Sequence, residues 1–163
     1  MRPVDSEEYY GIKILRGGQW IYNGTPINRH NLVKLFASVL KKDDAGDYWL
    51  ITPYERGRIE VEDVPFMAVE MTAKGSGKSQ VISFRTNLDD WVTAGSDHPL
   101  RVTSGEEPSP YVLVRDALEA RLTRAVYYDL VKLAVEDAQE KGLYGVWSSN
   151  VFFPIGRIGG AAS

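Results

Sequence analysis

Between Thr52 and Met71 the chain reads TPYERGRIEVEDVPFMAVEM, which threads Glu55, Glu60, Glu62, Asp63 and Glu70 among strand-forming residues. Carboxylates at this density can serve a hard-cation site, general acid–base work, or ion pairing with a basic cluster. Read as one unbroken strand, residues 59–71 would put Ile59, Val61, Asp63, Met67, Val69 and Met71 on one face, with Asp63 among apolar neighbours. A carboxylate there requires a cation, hydrogen-bond donors or a bend in the chain. Pro65 supplies the bend, because it lacks an amide donor and holds Val64 extended. The spacing therefore predicts two strands meeting at EDVP, with Glu62 and Asp63 at the corner. Adjacent carboxylates without an oxygen-rich loop are weak ground for magnesium or calcium, so no metal is expected.

Arg115, Glu119, Arg121 and Arg124 form a second constellation. RDALEARLTR reads either as helix, stacking Leu118, Leu122 and Val126, or as strand, which the match to the first half favours. As strand, Val112, Val114, Leu118, Ala120 and Leu122 share one face, while Arg115, Glu119, Arg121 and Thr123 share the other. A row of guanidinium forks fits carboxylate or phosphate in a bidentate way. The plain reading is ion pairing with the carboxylates of the earlier stretch. The functional reading is an anion site at the junction of two halves, and a network there can do both. In VWSSNVFF, Ser148, Ser149 and Asn150 read most simply as a turn in a terminal hairpin. Beside Trp147 they could also read a flat base, where stacking contributes about 1–3 kcal/mol. KGSGKS copies the end of a phosphate loop, but Thr72 stands where the pattern needs glycine and a strand follows, so it reads as a hairpin tip. No G-x-S-x-G elbow is present, and His30 and His98 have no visible serine partner.

These residues sit in a chain of 163 with 44% hydrophobic and 25% charged residues, an ordinary globular composition. The formal charge of −3 argues against a polymeric nucleic-acid binder, which would carry a basic face. With no cysteine, thiolate nucleophiles, disulfides and Cys-based metal sites are excluded. The start MRPVDSEEYY is not a secretory signal and no apolar run reaches the roughly 20 residues of a membrane helix, so a cytoplasmic location is the expectation.

The elements that would position the candidates follow from periodicity. GQWIYNGTPINRH predicts a hairpin turning at Asn23-Gly24. NRHNLVKLFASVLKK predicts a helix capped by Asn28, with Leu32, Leu35, Phe36, Val39 and Leu40 on its apolar face. YWLITPY, RIEVED, PFMAVEMTA, QVISFRTN, DDWVTAG, HPLRVT and YVLVR predict strands, with SGEEPSP as the best linker candidate. RAVYYDLVKLAVEDAQEKG predicts a second helix whose apolar face is Tyr127, Leu130, Val131, Ala134 and Val135. YGVWSSNVFFPIG predicts an aromatic strand pair. Sliding the first half along the second by one step lays Ile27 on Leu122 and Leu35 on Leu130, and puts strands, helix and aromatic strand in the same order. This predicts an α+β fold of two related antiparallel sheet-plus-helix halves made by duplication.

The blocks GQWIYNGTPINRHNLVKLFASVL, YWLITPYERGRIEVEDVPFMAV, FRTNLDDWV, PYVLVRDALEARLTRAVYYDLVKLA and GVWSSNVFF resemble a bacterial family, domain of unknown function 1285, over about Pro3 to Gly156. The resemblance implies a duplicated α+β core, divided here at 1–64 and 65–163, whose carboxyl-terminal half superficially resembles pleckstrin-homology folds. It also implies a ligand site at the domain interface for a nucleotide-like molecule, with a role in signalling. Ala117 departs from the glycine expected in the second hairpin turn. Thr52, Glu55 and Asn87 fall in matching blocks and join the expected lining, with Tyr54 as a further stacking residue.

The resulting expectation is a non-enzymatic regulatory protein that binds a small anionic, nucleotide-like ligand and needs no cofactor. Arg115, Arg121 and Arg124 would engage the anion, Glu62, Asp63 and Glu119 would orient them, and Trp147 and Ser148 would complete the lining. An enzyme using Asp63 or Glu62 as general base, and a protein-interaction module, are the alternatives.

Overall fold

Alternation in YYGIKI makes a half-buried strand, β1 (Tyr9–Ile14), whose Ile12 and Ile14 point inward. The computed structural model describes residues 9–157. It divides into two units, one running to Phe66 with Asp116–Leu118, the other comprising Met67–Arg115 and Glu119 onward.

In the first unit β1 is followed by β2 (Trp20–Tyr22), β3 (Thr25–Pro26), α1 (His30–Ser38), β4 (Leu40–Lys42), β5 (Tyr48–Ile51) and β6 (Arg56–Val61). The sheet order is β3-β2-β1-β6-β5-β4, antiparallel except where β1 lies parallel to β6. Asn23 (φ 48) and Gly24 (φ 86) both adopt the left-handed conformation that a tight two-residue hairpin requires. Helix α1 differs from expectation in two respects. Its N-cap is Arg29, without a side-chain cap, and its buried residues are Val33 and Ala37. Leu35 is 62% exposed. Phe36 stacks on Trp20 of β2, ring centroids 6.4 Å apart.

Strand β1 shifts register against β6 between Tyr9 and Lys13. Gly11 (φ +71) makes the shift: its carbonyl accepts the Asn23 amide at 2.8 Å, and a Cβ would collide with the Asn23 side-chain oxygen. Alanine is strained in the left-handed region by about 1–2 kcal/mol. Gly11→Ala should therefore lower unfolding stability by that amount in a denaturant titration, whereas Gly17→Ala, with open space around it, should not.

In the second unit come β7 (Phe66–Lys74), a 3₁₀ turn at Gly77–Ser79, β8 (Val81–Thr86), β9 (Trp91–Thr93), β10 (Leu100–Val102), β11 (Pro110–Arg115), β12 (Leu118–Leu122), α2 (Arg124–Val131), β13 (Val135–Glu136), β14 (Leu143–Ser148) and β15 (Val151–Arg157). They form a six-stranded sheet, β10-β11-β12-β7-β8-β9, and a three-stranded one, β13-β14-β15. The SGEEPSP stretch joins β10 to β11, which pair antiparallel, so it is a hairpin loop and not a linker. The second helix, Arg124–Val131, is less than half the expected length. Thr123 caps it, accepting the Val126 amide at 3.3 Å, and it ends at Val131. Val135 pairs instead with Gly145 as a strand. Its buried residues are Val126 and Leu130.

Six-stranded sheets, each with one helix, recur in both units, and the strand order shows how the halves correspond. β10-β11-β12-α2-β13-β14-β15 follows the order of β1-β2-β3-α1-β4-β5-β6; β10 lies near β15 but in a separate sheet, where β1 pairs with β6 in one. One step carries Leu40, Tyr48 and Arg56, which open β4, β5 and β6, onto Val135, Leu143 and Val151, which open β13, β14 and β15. Upstream the step is shorter, laying Asn23-Gly24 on Asp116-Ala117 and Val33 and Ala37 on Val126 and Leu130. The expected superposition of Leu35 on Leu130 is thus corrected, because the helical faces are set by what each helix packs against. In the second turn only Asp116 (φ 50) is left-handed among the described residues, which suits Ala117. Among the described residues the β7-β8-β9 meander has no counterpart in the first unit.

Candidate functional site

Period-two alternation in β6 directs Arg56, Arg58 and Glu60 to one face and Gly57 and Ile59 to the buried other face. Register then lines up Tyr9 of β1, Arg58 of β6, Trp49 of β5 and Lys41 of β4 as successive cross-strand neighbours. The Arg56 guanidinium lies 4.2 Å from the Trp49 ring centroid and that of Arg58 4.9 Å, leaving the indole only 5% exposed. Such contacts are worth about 0.5–2 kcal/mol each, more as water is excluded. Arg58 also lies 5.6 Å from the Tyr9 ring, donates to the Tyr9 hydroxyl at 3.3 Å, and sits 3.7 Å from the Asp47 carboxylate. Asp43 accepts the Trp49 indole N–H at 2.8 Å and the amides of Ala45 and Asp47. The indole bond, more than the backbone bonds, holds its carboxyl below the ordinary value.

This row borders an open cleft of ≈ 330 Å³, lined by Tyr9, Gly46, Asp47, Tyr48, Arg58, Ile59, Glu60 and Val61. Every lining residue belongs to the first unit. The arginine fork, held by aromatic rings, is suited to a carboxylate or a single phosphate.

The expected site residues are placed as follows. Thr52 and Glu55 build the β5–β6 turn: the Thr52 hydroxyl accepts the Tyr54 and Glu55 amides at 3.2 Å, and Glu55 accepts the Tyr10 hydroxyl at 2.7 Å. Tyr54 is 93% exposed. Glu62 accepts the Arg16 amide at 2.7 Å and lies 3.5 Å from the Lys13 ammonium. Asp63 is half-buried beyond the end of β6. Asn87 accepts the Met67 amide at 3.0 Å and returns its own amide to the Met67 carbonyl, an internal strand closure. Arg115 ends β11, Arg121 lies in β12 and Arg124 opens α2.

Glu119 does not orient Arg121. It takes Arg101 in a two-point fork at 2.7 and 2.8 Å, with that guanidinium 4.3 Å from the Tyr111 ring centroid. Glu55, Glu62 and Glu70 likewise find partners within their own units, Glu70 pairing with Arg85 at 2.7 Å. Trp147 packs on Phe152 and under Lys78. Ser148 is fully buried, accepting the Ile82 amide at 2.9 Å and donating to the Ala94 carbonyl at 2.8 Å. Its hydroxyl thus both accepts and donates between β14 and the six-stranded sheet.

Glu62 carries a pH prediction. The Arg16 amide first, then Lys13, hold its carboxyl below its ordinary 4.5. A depressed folded value contributes stability that is full above the unfolded value and is lost as pH falls through the folded one. Melting temperature should therefore fall below about pH 4.5, and Glu62→Gln should fall less steeply there while matching wild type in slope near neutrality.

The Arg56–Arg58–Trp49 row escaped the sequence reading. Its local signal was the alternation RGRIE beside YW, but the Tyr9 end depends on a parallel pairing between distant strands. Among the described residues no group of three or more His, Asp or Glu is placed to hold a metal ion, and no helix there is long and apolar enough to cross a membrane.

Fold and cleft together define a two-unit α+β protein built on a repeated sheet-and-helix plan, with an arginine–aromatic cleft on its first unit. Residues 3–64 match the domain of unknown function DUF1285, N-terminal domain, and residues 65–155 match the protein of unknown function DUF1285, C-terminal domain. The chain belongs to the DUF1285 family. A crystal structure of a family member from Silicibacter pomeroyi DSS-3 is 38% identical, with a TM-score of 0.88 over 97% of this chain and 85% of that one. Another, from Shewanella baltica OS155, is 30% identical, with a TM-score of 0.59 over 75% of this chain and 91% of that one. None of the curated proteins matches the chain.

Proposed function

We propose that this is a non-enzymatic regulatory protein that binds a small organic anion in the Tyr9–Arg58 cleft. The observation that carries the reading is Arg58, pinned against the Tyr9 and Trp49 rings at the edge of that cleft. A guanidinium already held in place loses little freedom on binding, which is the way a small site gains affinity. The volume sits at the low end of the range for ligand pockets, about 300–1,000 Å³. A nucleotide-like ligand and a signalling role are the finer form of the proposal, and the pleckstrin-homology likeness stays an analogy of fold. Against general-base catalysis by Glu62 stands its lowered pKa, since a base works best near the operating pH.

The test is a thermal-shift screen of nucleoside mono-, di- and triphosphates and small carboxylic acids on wild type, Arg58→Lys and Arg121→Ala. A ligand at a hundredfold excess over its Kd should stabilise by about 2.7 kcal/mol, a rise of roughly 5–11 °C at this chain length. Lysine keeps the charge but loses the fork, so Arg58→Lys should weaken binding at least about tenfold while Arg121→Ala leaves it intact. A shift lost in Arg121→Ala and kept in Arg58→Lys would move the site to the β12 row. No shift with any compound would end the reading.

A further inference from the structure

Resting on that reading, we infer that the ligand of the cleft is a small zwitterion of the amino-acid type, with a carboxylate for Arg58 and an ammonium for Glu60. Glu60 is exposed, lines the cleft, and makes no ion pair among the described residues. Lys13 stands directly across from it in the β1–β6 register, yet the Lys13 ammonium goes to Glu62. A carboxylate thus faces the cleft beside a guanidinium two residues away on the same strand face.

Spacing supports the pairing. Residues i and i+2 of a strand have Cα atoms about 6.4–6.8 Å apart. Carboxylate and ammonium on one carbon, each reaching its partner at about 2.8 Å, span that interval. Charge supports it too. With Glu60 beside Arg58 in the lining, a ligand carrying an ammonium next to its carboxylate is matched at both ends, whereas a carboxylate alone leaves Glu60 unanswered. The Tyr9 ring, 59% exposed, offers an apolar wall for the side chain of the ligand.

The experiment is calorimetric titration of the full chain with the common L-amino acids, followed by the amine and the carboxylic acid matched to the best binder. The amino acid should bind at least about tenfold more tightly than either matched compound. Glu60→Gln should weaken the amino acid while leaving the matched acid unchanged, and circular dichroism should show the variant folded. If the matched acid or a nucleoside monophosphate binds as well as any amino acid, the zwitterion inference falls and the anion reading stands. If nothing binds, both fall together.

Discussion

Gly145→Ala is expected to destabilise the protein by about 3 kcal/mol, near the upper end for overpacking a closed site. A Cβ at Gly145 would overlap the backbone carbonyl of Phe153 and come within 2.6 Å of the Phe152 ring. Rings can turn, but the carbonyl is fixed by the β14–β15 ladder, in which Gly145 pairs with Pro154 just past a register shift. Neither strand can recede without breaking that ladder or the pairing of Gly145 with Val135 on its other side. For a chain of this size the melting temperature should fall by roughly 6–12 °C. Gly156→Ala is the control, with nothing within 4 Å of its new methyl, and should stay within about 0.5 kcal/mol of wild type. Equal effects in the two variants would show that the β14–β15 contact is not close-packed.

Ser148→Ala is expected to cost about 2–4 kcal/mol. The hydroxyl stitches β14 to β8 and to the end of β9 by accepting the Ile82 amide and donating to the Ala94 carbonyl. Alanine leaves both groups without that partner at a position of zero exposure, and each buried unsatisfied group costs about 1–3 kcal/mol. Amide exchange at Ile82 should accelerate in the variant, beyond the general loss of stability. Ser83→Ala is the comparison: its hydroxyl bonds Thr93 at 2.9 Å on an exposed face, and its loss should be near neutral. Were Ser148→Ala to leave stability intact and abolish ligand binding, the serine would belong to a site and not to the core.

Much of the architecture was legible in the residues. Asn23-Gly24 marked a hairpin because that dipeptide tolerates positive φ, and β2 and β3 meet there. Pro65 divided the carboxylate-rich stretch, and β6 ends at Val61 while β7 begins at Phe66. RDALEARLTR fitted helix or strand by its own pattern and was read as strand from its match to the first half; β12 is a strand with Leu118, Ala120 and Leu122 buried. These features are local: backbone preference and period-two burial act over a few residues, so a short window contains them.

The partners of charged groups were not legible. Glu119 was expected to serve Arg121, yet it holds Arg101, which β10 and β11 bring alongside. Glu62 was expected to face the distant arginines, yet it clamps the Arg16 amide at the end of its own strand pair. Leu35 was placed on a buried face that turned out to be that of Val33 and Ala37.

By itself, then, the sequence determined most of the strands and the Asn23-Gly24 turn, and that the plan repeats; it read β4 and β13 as helix. Only the tertiary structure decided which carboxylate meets which cation and where the Tyr9–Arg58–Trp49 row lies. The physical reason is register: a contact between strands far apart in the chain depends on how they slide past each other, and a bulge such as that at Gly11 changes every pairing beyond it without leaving a mark in either strand's own pattern.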